Sequence, residues 1–172
     1  MADLVIRRAG SGDAARIAEI YNHYVLHSTA TFDTEPKTPE DRMGWLEEHD
    51  DAHPVLVGSI DGEVVAWGSL SRWSQKPAYR HTVEVSVYVD REATGQGIGP
   101  AMTEALVGEA RAAGHHAVMG QIVSENAASL ATSERLGFER VGILREVGRK
   151  FDRWLDVVVV ERPLVGPYDH EH

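Results

Sequence analysis

The chain contains no cysteine, which excludes disulfides, a thiol nucleophile, thiolate metal ligation and any route that places an acyl group on a cysteine. Basic residues are in deficit, with 17 Lys and Arg against 27 Asp and Glu and a formal net charge of −10. That balance disfavours nonspecific attraction to nucleic acid or an anionic membrane, so an anionic ligand must be gripped locally. No apolar run is long enough to cross a bilayer, and Met1-Ala2-Asp3-Leu4-Val5-Ile6-Arg7 lacks the basic and apolar regions of a signal peptide. The expectation is a cytoplasmic protein. At 172 residues and 42% hydrophobic content, the chain suits one domain with a sizeable core. Residues 1–162 are expected to form it and 163–172 a loose tail.

What is present centres on Val83-Glu84-Val85-Ser86-Val87-Tyr88-Val89-Asp90, followed at once by Gly95-Gln96-Gly97-Ile98-Gly99-Pro100. Period-2 alternation puts Val83, Val85, Val87 and Val89 on a core face and Thr82, Glu84, Ser86 and Tyr88 on a polar one. The glycines let main-chain N–H groups approach a ligand closely, and the helix that follows aims its partial positive charge at the same spot. The pair reads as a strand feeding an anion site, for phosphate. Pro100 suits the first helical turn.

Around this centre, residues 4–8 read as a strand, and Ser11 or Asp13 caps a helix carrying Ile17, Ile20, Tyr21, Tyr24 and Val25 at helical spacing. A hydroxyl-rich loop with Thr29, Thr31, Phe32 and Thr34 leads to a second helix over 40–49. Strands over 55–60 and 63–70 meet at Asp61-Gly62, a hairpin signal. A polar loop with Arg72, Trp73, Lys76, Pro77 and Tyr79 leads back to the valine strand. Beyond the glycine loop, Met102, Ala105, Leu106, Ala110 and Ala113 mark a helix stopped by Gly114. A strand over 117–123, a helix from Asn126 to Leu136, and closing strands over 138–147 and 154–161 complete the order. Of the histidines, His23 and His27 are spaced i, i+4 without the glutamate of a metalloprotease helix, His115-His116 sits in a turn and His170 and His172 lie in the tail. No metal is assigned.

The spacing Gly95-x-Gly97-x-Gly99 is not the dinucleotide fingerprint, whose third glycine falls where Pro100 stands, and it lacks the Lys-Ser/Thr of a P-loop. Several strands and a hairpin precede it, unlike a nicotinamide fold. The series Ile20-Tyr21-Asn22-His23, Tyr79-Arg80-His81-Thr82-Val83-Glu84, Ser86-Val87-Tyr88-Val89, Gln96-Gly97-Ile98-Gly99, Asn126-x-x-Ser129, Leu136-Gly137-Phe138 and Gly148-Arg149-Lys150-Phe151-x-x-Trp154-x-Asp156 resembles the GNAT superfamily of acyl-CoA-dependent N-acetyltransferases. Within it, the chain is similar to the branch of phosphinothricin and methionine sulfoximine acetyltransferases.

The resemblance implies an α/β fold with a mixed, mostly antiparallel sheet flanked by helices on both faces, acetyl-CoA as co-substrate and a homodimer. It implies that the backbone of Val87, Tyr88 and Val89 pairs with the pantetheine arm, while the amides of Gly95, Gln96, Gly97, Ile98, Gly99 and Pro100 hold the pyrophosphate. Asn126 and Arg135 lie close to the cofactor by the same analogy, Asn126 serving equally as a helix cap. Glu84 is the candidate base, because an α-amine is mostly protonated at neutral pH and attacks only when neutral; a solvated glutamate is the plainer alternative. Phe32, Arg72, Trp73, Ser74, Gln75, Lys76, Tyr79, Glu84 and the 150–154 segment are candidate substrate contacts. Two positions depart from the pattern. Ser133 stands where the family places a tyrosine or histidine, and Ser74 where the branch tends to carry Arg or Lys, with Arg72 or Lys76 available nearby. The expected reaction is direct acetyl transfer to a small amino-acid-like amine in a ternary complex. The alternatives are a protein or peptide amine as acceptor, or a non-catalytic acyl-CoA sensor.

Overall fold

The computed structural model describes residues 2–165. Its framework is one seven-stranded sheet in the order β1-β2-β3-β4-β5-β7-β6, built from β1 (Leu4–Arg8), β2 (Val55–Ile60), β3 (Glu63–Arg72), β4 (Thr82–Val89), β5 (Ala117–Val123), β6 (Glu139–Lys150) and β7 (Arg153–Pro163). Every neighbouring pair is antiparallel except β4 and β5. The four helices are α1 (Ala14–His27), α2 (Pro39–Glu47), α3 (Ile98–Ala112) and α4 (Ala127–Arg135). The expected mixed, mostly antiparallel sheet with helices on both faces is what forms. Among the described residues no helix is long and apolar enough to cross a membrane.

Alternation along the strands sorts two cores. Leu56, Ala66, Leu70, Val83 and Val118 face α3, where Met102 and Leu106 are fully buried with Leu130 and Phe138. Each such side chain contributes roughly 1.5–3 kcal/mol on burial. On the other face Val55, Val57 and Trp67 pack against Ile17, Ile20, Tyr21 and Val25 of α1. The helical stripe read from α1 is therefore its buried face. Helix α3 lies close on the sheet because Gly68 has no side chain: a Cβ there would stand 2.7 Å from Leu106 Cδ1.

Local sequence sets most boundaries. Asp61 and Gly62 both take positive φ, 51° and 79°, as the two-residue β2–β3 hairpin requires. Thr38 caps α2 by accepting the Asp41 N–H at 3.0 Å. Asp13 does not cap α1 as read; its carboxylate turns back to accept the Gly10 N–H at 2.8 Å and the Arg7 guanidinium at 2.8 and 2.9 Å. The closing hairpin extends further than its hydrophobic pattern suggested, turning at Phe151 and Asp152. At the other end, β7 runs through Pro163, and Leu164 donates its N–H to His116 O at 2.9 Å. The rest of the expected tail, residues 166–172 with His170 and His172, lies outside the described residues.

Candidate active site

The site is made by a failure of two parallel strands to stay together. Thr82, Val83 and Glu84 pair with Ala117, Val118 and Met119, and there the β4–β5 ladder stops, although β4 continues to Val89 and β5 to Val123. On its other side β4 remains paired with β3 as far as Val89. The Ser86 carbonyl faces β3, since a Cβ on Gly68 would meet it at 2.9 Å, and Asp90 donates its N–H to Val65 O at 2.7 Å. Because successive peptides point to opposite edges of a strand, the last ladder pair, Glu84/Met119, takes up the Val85 N–H, and the Val85 C=O and the N–H and C=O of Val87 face the gap. Among the described residues no strand pairs with these groups. The Val89 carbonyl on that edge accepts the Tyr24 hydroxyl.

The gap is a cleft of about 400 Å³. Val85, Val87, Val89, Gly99, Pro100 and Thr103 line one wall, with Gly120, Gln121, Ile122, Asn126, Ser129, Thr132 and Ser133 opposite. Tyr24, Ala30, Ser86 and Tyr88 line it from the α1 side. It thus runs through the sheet from the α3–α4 face to the α1 face. At the α3 end Gly95 and Gly97 adopt φ of 78° and 76°, so the turn enters the helix in a conformation that side-chain-bearing residues resist. Gly97 is the N-cap and has no side chain to take up the first amides of α3, which leaves them for an anion.

The expected cofactor residues are distributed unevenly. Val87, Tyr88, Val89, Gly99, Pro100 and Asn126 line the cleft, while Gly95, Gln96 and Gly97 form its exposed approach. One assignment needs correction: Pro100 forms wall and offers no amide, because proline has no N–H. The Ile98 side chain, on the first residue of α3, is buried at 3% exposure, and the expectation for this residue concerned its amide alone. Asn126 caps α4 by accepting the Ser129 N–H at 3.2 Å, leaving its amide NH2 as a donor in the wall. Arg135 is exposed, outside the lining, and reaches Thr132 Oγ1 at 3.2 Å. Ser133 is in the wall, but its hydroxyl donates to Leu130 O at 2.8 Å and so is not aimed at a leaving group.

Glu84 lies just beyond the cleft lining, on the last residue pair before the strands part. Its Oε2 accepts from Gln121 Nε2 at 2.9 Å, across the gap. Cross-strand pairs Ser71/Glu84, Ser69/Ser86 and Trp67/Tyr88 share this face. The face is less polar than alternation implied, because Tyr88 joins Tyr21, Tyr24 and Trp67 in an aromatic cluster with ring centroids 5.0–5.4 Å from its own. Burial raises the Tyr88 hydroxyl above the ordinary tyrosine value. Tyr21, buried and bonded to Asp33, is pushed up to about 12. Both are neutral donors at physiological pH.

Of the expected substrate contacts, Arg72 is a clear correction. It is the register partner of Val83, so it lies on the α3 face, opposite Glu84, and pairs with Asp50 at 3.6 Å. Trp73, Ser74, Gln75, Lys76 and Tyr79 lie in the β3–β4 loop beside the Glu84 end, outside the cleft lining, with Tyr79 46% exposed. Phe32 and the 150–154 segment meet elsewhere. The Phe32 ring seats on Gly148, where a Cβ would stand 2.2 Å from it, and Lys150 is buried behind it.

Sequence reasoning missed Gln121, Ala30, Thr103, Thr132 and Glu125. Glu125 holds Arg153 through two bonds of 2.8 and 3.0 Å and accepts the Thr29 hydroxyl at 2.7 Å, which brings its carboxyl down to about 2. It ties the β5–α4 connection to the loop after α1. Only Gln121 had a signal, as the polar break in the 117–123 strand, and it meant nothing until the parallel register, which pairs Glu84 with Met119, put it two residues further on the same face, within reach of the Glu84 carboxylate.

A mixed sheet opened between two parallel strands, with a glycine turn and helix N-terminus at one end and a carboxylate at the other, frames the candidate site of an acyltransferase. Residues 6–159 match the family described as the acetyltransferase (GNAT) domain, and the chain belongs to that family of acyltransferases. Its relatives include L-amino acid N-acyltransferase MnaT of Escherichia coli, 39% identical over 92% of this chain and 93% of that protein. The phosphinothricin N-acetyltransferase of Streptomyces coelicolor is 39% identical over 95% and 98%. The L-methionine sulfoximine/L-methionine sulfone acetyltransferase of Salmonella typhimurium is 38% identical over 94% and 95%. The phosphinothricin acetyltransferase of Sinorhizobium meliloti, solved in complex with acetyl-CoA, superposes with a TM-score of 0.90 at 31% identity over 98% of this chain and 92% of that one.

The Gly148 seat yields a direct test. Gly148→Ala is expected to cost about 1–3 kcal/mol by overpacking against Phe32. In a Phe32→Ala background most of that cost should disappear. Thermal unfolding of the two single variants and the double variant measures the coupling; additive effects would place the ring elsewhere.

Proposed function

We propose that this chain transfers the acetyl group of acetyl-CoA to the α-amine of a small amino-acid-like acceptor of the phosphinothricin or methionine sulfoximine type. The observation that carries this reading is the unpaired Val85–Val87 edge of β4 leading from the α3 N-terminus to the Glu84 carboxylate. A pantetheine amide chain is the ligand such an edge fits, and the glycine turn supplies amides for a pyrophosphate. The relatives' named acceptors share an α-amino acid core, which supports the acceptor class.

In this reading the amine nitrogen attacks the thioester carbonyl, the N–C bond forms and the C–S bond breaks. The departing ammonium proton passes to Glu84, directly or through one water, while Gln121 holds the other face of that carboxylate. A gap-facing β4 amide stabilises the developing oxyanion. The sulfur leaves as thiolate, since the Ser133 hydroxyl is committed to Leu130 O. Acetyl-CoA consumption supports a cytoplasmic setting, where that thioester is available.

Acetyl-CoA with phosphinothricin or methionine sulfoximine should release free CoA, detected as thiol. Glu84→Gln should lower kcat/KM by about a hundredfold, most severely at low pH where more acceptor is protonated. A panel of amino acids and peptides that releases no CoA from folded protein would remove the enzymatic reading; turnover on peptides alone would move it to a protein acceptor.

We further propose a homodimer through β6. It is an edge strand, and Val141, Ile143 and Val147 on it are 55–56% exposed, with Trp154 across the turn at 59%. An exposed apolar edge of this length invites pairing with another copy. Ile143→Lys with Val147→Lys should convert a dimer into a monomer in sedimentation velocity; a monomeric parent chain would contradict the proposal.

A further inference from the structure

Lys150 is a buried cation that the transfer chemistry does not use. It is 5% exposed, and among the described residues no carboxylate forms an ion pair with it. Its ammonium instead donates to three carbonyl oxygens, Ser28 at 2.6 Å, Thr31 at 2.7 Å and Tyr24 at 3.3 Å. Three acceptors satisfy its three protons, so it has no capacity left for a ligand. The carbonyls belong to the last turn of α1 and the loop after it, whereas Lys150 belongs to the end of β6.

That loop contributes Ala30 to the α1 side of the cleft. Ala30 lines the cleft beside Tyr88, and Thr31 Oγ1 shares a 2.7 Å hydrogen bond with the Tyr21 hydroxyl. Phe32 rests on Gly148, two residues before Lys150 on β6. A loop with no strand partner has several accessible shapes, and its carbonyls would otherwise turn to water. Converging three of them on one buried ammonium selects a single shape.

We propose that Lys150 is a positioning residue for the amine acceptor, its carbonyl cage fixing residues 28–33 as the acceptor-side wall of the cleft. The proposal rests on the acetyltransferase reading for its kinetic consequence. The donor side is made by β4, β5, α3 and α4, none of which Lys150 itself bonds; the segment it holds reaches that side only through Thr29 to Glu125 and the Tyr24 hydroxyl to Val89 O, so the larger effect falls on the amine acceptor.

Lys150→Met keeps the stem and removes the ammonium. It should raise KM for the amine at least about tenfold and leave KM for acetyl-CoA within about twofold. Lys150→Arg, which keeps the charge but cannot converge on three carbonyls with a planar fork, should fall between wild type and Met. Amide hydrogen exchange should accelerate at residues 28–33 and remain unchanged in α3 and β5. If Lys150→Met does not fold, Lys150→Arg is read by the same two criteria. An unchanged amine KM, equal changes in both KM values, or exchange accelerated throughout the sheet would each overturn the proposal. Wild type inactive on every amine would instead defeat the acetyltransferase reading, and the exchange measurement would still decide whether Lys150 holds the loop.

Discussion

The structure depends on hydrogen-bonding groups that the sheet leaves without a partner. A strand interior that exposes several N–H and C=O groups to a narrow gap carries a standing cost, because such groups are nearly always paired in folded chains. Here that cost is confined to one edge of β4. Its other edge stays bonded to β3, and its base is locked to β5 at Thr82, Val83 and Glu84. The strand is therefore rigid and half-paired, a template for an extended ligand that brings its own amides.

The two faces of β4 divide the remaining work. Val83, Val85, Val87 and Val89 rest on the core beneath α3, which fixes the height of the glycine turn relative to the open edge. Glu84, Ser86 and Tyr88 look the other way, toward the loop after α1. One strand thus places the open edge, proposed for the donor, and the Glu84 carboxylate, proposed for the acceptor, within a few residues of each other. The acceptor side is assembled from distant chain segments: Thr29 to Glu125, Thr31 to Tyr21, Phe32 to Gly148 and three carbonyls to Lys150. In the proposed reading donor recognition is local and built from backbone, whereas the acceptor side is held together by long-range contacts.

That division also explains what could be read from the sequence. The valine alternation, the glycine turn, the Asp61-Gly62 hairpin and the Asn126 cap are short-range signals, and each appears in the fold where its spacing put it. Alternation gave the face of Glu84, and its place beside the glycine loop together with the family resemblance singled it out as the candidate base. Arg72 was misplaced because its face depends on parity with Val83 across the β3–β4 pair, and the candidate loop was read without that register. Gln121 showed only as a polar break in its strand and Glu125 not at all, because their meaning arises from contacts 37 and 96 residues away in the chain. Lys150 and Gly148 stood within a recognised segment, yet nothing local in it indicated that β6 would support the loop after α1.

The open edge of β4 is tested most directly by amide hydrogen exchange with and without CoA, read residue by residue. The account requires new protection at Val87 and at Gly97 to Gly99, with no change at Ser86, whose amide already faces β3. CoA bound with Val87 still exchanging freely would contradict it.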